Sequence, residues 1–60
     1  MKIQLNIESY GVLSVENMVD GAARGLVRLN LEDSETTRSQ YFDLSKPEVN
    51  DLIRALQMLQ

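Results

Sequence analysis

Leu44-Ser45-Lys46-Pro47-Glu48-Val49-Asn50-Asp51-Leu52-Ile53-Arg54-Ala55-Leu56-Gln57-Met58-Leu59 holds the local signals of one amphipathic helix, and its reading decides how the rest of the chain is arranged. Ser45 is placed to cap the free N–H groups of the first turn. Glu48, three residues on, can reach back to the Ser45 N–H, so Ser45-x-x-Glu48 reads as a capping box. Pro47 falls where a backbone N–H has no intrahelical partner to lose. Leu44 and Val49 have the spacing of a hydrophobic staple, which fixes the angle at which the preceding chain runs into the helix. Val49, Leu52, Ile53, Leu56 and Leu59 recur at helical spacing and form one apolar stripe, with Asn50, Asp51, Arg54 and Gln57 on the other side. Such a stripe needs an apolar surface to lie on.

The residues before Leu44 offer that surface as a sheet. Ile3, Leu5 and Ile7 alternate with Lys2, Gln4, Asn6 and Glu8, the period of a strand with one buried face. Ser9-Tyr10-Gly11 then reads as a three-residue hairpin loop with Gly11 in the left-handed position. That loop pairs Ile7 with Leu13 and Leu5 with Val15 on the inner face. The second strand, about Val12 to Val19, ends at Asp20-Gly21, a tight-turn dipeptide, but a two-residue loop there would set Leu13 against Arg28. The third strand buries Val27, Leu29 and Leu31, so parity demands a longer, odd-numbered loop or a bulge within Ala22-Ala23-Arg24-Gly25. Asp33-Ser34-Glu35-Thr36 is the turn into a fourth strand, Thr37 to Leu44. An even-length loop sets Val27 against Phe42 and Leu29 against Gln40 inside, with Arg28 against Tyr41 outside as a cation–π pair. The predicted fold is α+β: a four-stranded antiparallel meander followed by one C-terminal helix packed on one face, ββββα, in a single domain spanning 1–60. The inward strand residues and the helix stripe are the expected core.

Composition narrows function chiefly by exclusion. A 60-residue domain buries only about 60% of the surface its unfolded chain exposes, so it has little room for both a core and a concave pocket. There is no cysteine and no histidine, which removes disulfides and the usual zinc ligands. No apolar run could span a bilayer and the amino terminus has no signal-peptide core, so the expected setting is cytoplasmic. A net charge of −3 and a pI near 4.6 count against generic affinity for phosphate backbones or anionic lipid. Neither a cofactor nor a metal is expected.

Without histidine or cysteine, acid–base or nucleophilic chemistry would fall to Asp, Glu, Lys, Tyr or Ser, and none of these sits in a catalytic motif. Glu32, Asp33 and Glu35 form the one carboxylate cluster, with a spacing that matches no calcium loop and a place on a hairpin tip where carboxylates are normally solvated. Tyr10, Arg28 and Tyr41 are exposed residue types often found at binding hot spots, and Arg28 and Tyr41 fall on the uncovered sheet face. Val12, Met18 and Leu26 share that face, more apolar groups than a solvated sheet needs. The expected partner-binding residues are therefore Tyr10, Arg28, Glu32, Asp33, Glu35 and Tyr41.

The leading functional expectation is a non-enzymatic binding or regulatory protein, acting as a homodimer on another protein through its outer sheet face and acidic tip. Small acidic bacteriophage proteins that inhibit a host or defence protein share this gross character. The ββββα order over Gly25 to Leu56, with Asp43-Leu44-Ser45 before the helix, is similar to the positive-cofactor-four family. That resemblance implies a dimeric protein binding single-stranded nucleic acid through basic and aromatic side chains, here Lys2, Arg28, Arg38 and Tyr41. Nucleic acid is the alternative partner.

Overall fold

A computed structural model describes all 60 residues, Met1–Gln60. The chain runs β1 (Lys2–Ile7), β2 (Gly11–Asn17), β3 (Val27–Asp33), β4 (Ser39–Leu44) and α1 (Lys46–Met58). The strands pair antiparallel in the order β1-β2-β3-β4, so each lies beside its sequence neighbour and β1 and β4 are both free edges. This is the ββββα arrangement expected from the sequence.

The register explains why these residues form this sheet. Across the four strands, one inner row is Ile3, Val15, Leu29 and Phe42, and the next is Leu5, Leu13, Leu31 and Gln40. The outer face carries Lys2, Glu16, Arg28 and Asp43 in one row, an alternation of positive and negative charge over all four strands. Opposite charges facing each other across strands stabilise the pairing, and the alternation repeats that match at every step.

Two predicted registers are each displaced by two residues, a shift that leaves every side chain on its expected face. In the first hairpin Leu5 faces Leu13 and Ile7 faces Gly11, not Leu13. The loop is Glu8-Ser9-Tyr10, and Ser9, with φ 69°, takes the left-handed position expected of Gly11. Gly11 is needed elsewhere: a Cβ there would stand 1.8 Å from the Glu32 carbonyl oxygen on β3. In the last hairpin Val27 faces Leu44, Leu29 faces Phe42, and Arg28 faces Asp43 instead of Tyr41. That register matches apolar with apolar and cation with anion, where the predicted one would have set Leu29 against Gln40. The middle connection is long and odd, as parity required. Met18 and Leu26 extend the ladder by one bond of 2.9 Å, and Gly21 and Gly25 reverse the chain at φ 76° and 86°.

Helix α1 begins as its sequence dictates. Ser45 is the extended cap residue, and its N–H donates to Glu48 Oε1 at 2.8 Å. The Ser45 side chain approaches the Glu48 N–H, but the well-formed bond is this reciprocal one. Val49, Leu52, Ile53 and Leu56 face the inner side of the sheet across an apolar groove of about 310 Å³, whose other wall includes Leu5, Leu13, Val15 and Leu29. The expected core residues therefore share one face, but the expected burial does not follow. No apolar side chain is fully buried, and Phe42 and Leu56 are 58% and 57% exposed. Helix α1 does not close down on the sheet: its own stripe residues Leu52, Ile53 and Leu56 stay between 37% and 57% exposed, and the groove between the two layers remains open.

Candidate functional site: the outer sheet face and hairpin tips

The polar face is organised around Arg28. Its Nε and Nη2 donate to the two carboxylate oxygens of Asp43 at 2.8 and 3.0 Å, a bidentate pair. Its Cζ lies 4.2 Å from the centroid of the Tyr41 ring. The expected cation–π contact thus forms on the diagonal, with the guanidinium held in place by Asp43. Lys2, Ser14, Glu16, Arg28, Asn30 and Tyr41 surround a shallow depression of about 260 Å³ at the centre of this face. Ser14 is its floor and the most buried residue in the chain, at 5% exposure.

The sheet brings a second group of expected residues to one end. The Tyr10 carbonyl accepts both the N–H and the hydroxyl of Ser34 at 3.0 Å, which ties the two hairpin tips together. Asp33 shapes the second tip: its carboxylate accepts the Glu35 N–H at 2.9 Å, its N–H donates to the Arg38 carbonyl, and its carbonyl accepts the Thr37 N–H. Glu32 belongs to the outer face instead, in the row of Asn6, Val12 and Ser39, about 13 Å along the strand from the Arg28 row. Glu32, Asp33 and Glu35 consequently do not gather into a group able to hold a metal ion. Of the six expected binding residues, Arg28 and Tyr41 meet, Tyr10, Asp33 and Glu35 share the tips, and Glu32 lies between the two groups.

Ser14, Glu16 and Asn30 were expected on this face but not as part of a site, Lys2 was expected there only as a contact to nucleic acid, and Asp43 was not singled out. Their signal was present, because Lys2, Glu16, Arg28 and Asp43 alternate in sign once the strands are slid to the observed register. Arg38, expected to join Arg28 and Lys2 in binding a polyanion, and Arg24, the basic residue of the β2–β3 connection, lie at opposite ends of the sheet. The positive charge is dispersed and interleaved with carboxylates.

The Asp43 carboxyl is held below its ordinary value of 3.8 by the hydrogen bonds from Arg28. Glu48 is held below 4.5 by the Ser45 backbone N–H and then its side chain. Both groups bind protons more weakly in the folded chain than in the unfolded one. Their contribution to stability is complete above about pH 4.5 and is lost as pH falls through the lowered folded values. Urea unfolding midpoints are expected to stay level from about pH 7 to 5 and to decline below about pH 4.5, more shallowly in an Asp43→Asn, Glu48→Gln double variant. Equal acid sensitivity in wild type and double variant would show that neither bond carries the effect.

No helix is long and apolar enough to cross a membrane. No protein-family model, no curated protein and no solved structure matches the chain.

Proposed function

We propose that this chain is a non-enzymatic binding protein that docks on another protein through the outer face of its sheet and the adjoining hairpin tips. The observation that carries this reading is the self-neutralised row Lys2, Glu16, Arg28 and Asp43 beside the exposed Tyr41 ring. A polyanion gains affinity by replacing counterions with unpaired lysines and arginines, and Arg28 is already paired with Asp43 through two of its five N–H donors. A protein surface with its own alternating charges and a pocket for an aromatic ring is the better complement to this face. Asp43 is no candidate acid catalyst, since its ion pair with Arg28 keeps it ionised. The narrower form of the reading is an inhibitor that covers a host or defence protein's surface, as small acidic phage proteins do.

The test has two arms. A labelled random single-stranded oligonucleotide, followed by fluorescence anisotropy at physiological salt, is expected to show no binding tighter than about 10 µM. A pull-down from native lysate is expected to capture a stoichiometric protein with wild type and to lose it with Tyr41→Ala and with Glu35→Lys. Submicromolar oligonucleotide binding that weakens steeply with salt and vanishes in Arg28→Ala would replace this reading with single-strand binding.

A further inference from the structure

We propose that the inner apolar face is closed by a second copy of this chain, in a twofold dimer whose two sheets enclose both helices. This does not rest on the outer-face reading, because the two use opposite sides of the sheet. The first ground is area. The chain exposes 5217 Å², whereas a compact monomer of 6.8 kDa exposes about 4,000 Å². The excess is about 1,200 Å² per chain, so pairing two copies would remove about 2,400 Å² in total, within the range of obligate homodimers. Shape gives the same answer: the radius of gyration is 12.5 Å, against about 10 Å for a compact chain of this length.

The second ground is that the inner face is apolar and half-exposed. Ile3, Leu5, Phe42, Ile53 and Leu56 are each between 47% and 58% exposed, and all belong to the inner sheet rows or the helix stripe. The third ground is self-complementarity. Each chain presents an apolar groove whose two walls, the helix stripe with Ile53 and Leu56 and the inner sheet face with Leu5, are both half-exposed, so each wall can receive the opposite wall of a second copy. A twofold axis makes that exchange twice, pairing helix stripe with sheet face in both directions. The sequence had pointed to the outer face, with Val12, Met18, Leu26 and Tyr41, as the spare packing surface; Val12, Met18 and Leu26 are half-buried within the chain itself, and Tyr41 alone is left exposed there.

The outcome is read in two ways. Sedimentation equilibrium over a wide concentration range is expected to give twice the chain mass, and Leu56→Glu is expected to weaken association at least about a hundredfold by forcing a charge into the apolar seam. Because that variant could also unfold the chain, the deciding measurement uses wild type. In a mixed sample of isotope-labelled and unlabelled protein, isotope-filtered nuclear Overhauser effects are expected between the helix methyls of Ile53 or Leu56 on one copy and Ile3 or Leu5 on the other. A monomer at every concentration overturns the proposal, as does a dimer whose cross-chain contacts fall on Val12, Leu26 and Tyr41.

Discussion

Gly11→Ala is expected to cost about 3 kcal/mol, the upper end for forcing atoms into an occupied space, and in a domain of this size to leave little folded protein. The added methyl would lie 1.8 Å from the Glu32 carbonyl oxygen and 3.0 Å from the Ser34 nitrogen. Both are backbone atoms of the neighbouring strand and tip, so no side-chain rotation relieves the clash. Strands β2 and β3 would have to part where Gly11 faces Asp33, and the paired bonds from Ser34 to the Tyr10 carbonyl would part with them. Gly21→Ala is the control. Gly21 is left-handed at φ 76° but faces open space, so alanine there is expected to cost only about 1 kcal/mol through its backbone preference. Urea unfolding followed by circular dichroism separates the two. A Gly11→Ala protein as stable as Gly21→Ala would show that β2 and β3 do not approach so closely.

Leu29→Ala is expected to be next, at about 2–3 kcal/mol. Leu29 lies on an interior strand between Val15 and Phe42 and forms part of the groove wall opposite the helix. Its truncation removes packing against Val15 and Phe42 and enlarges a groove that is already incompletely filled. Val12→Ala, on the other face of β2, is expected to cost about 1 kcal/mol or less, because fewer apolar neighbours surround it there. If the two variants unfold at the same urea concentration, the inner face is not the one that holds the sheet to the helix.

The elements of this fold were legible in the sequence because their signals are periodic. The alternation of Ile3, Leu5 and Ile7 and the helical spacing of Val49, Leu52, Ile53 and Leu56 specify a face, and faces came through intact. Pairing partners are a different kind of information. A strand slid by two residues presents the same face, so alternation alone could not separate Leu5 opposite Val15 from Leu5 opposite Leu13. The close approach of Gly11 to the Glu32 carbonyl on β3 likewise leaves no local mark in the sequence. For the same reason Arg28 and Tyr41 were found together while Asp43, the residue that locks Arg28, was not. The open core was hidden for a geometric reason: side-chain periodicity reports which way residues point and carries no measure of how closely the helix approaches the sheet.

The meander, in which every strand lies beside its neighbour in sequence, also governs the time course of folding. Each hairpin can close without waiting for a distant segment, and the chain entropy lost on closing short connections grows only slowly with their length. Hairpins form in microseconds, and topologies dominated by such local pairings fold faster than those that join remote strands. The sheet and the capped helix should therefore be assembled early in a single fast phase whose rate is independent of protein concentration. Any later phase that quickens as the protein is concentrated would belong to the meeting of two chains. Stopped-flow refolding at several concentrations would then resolve, in one experiment, what the chain accomplishes alone from what it accomplishes with a partner of its own kind.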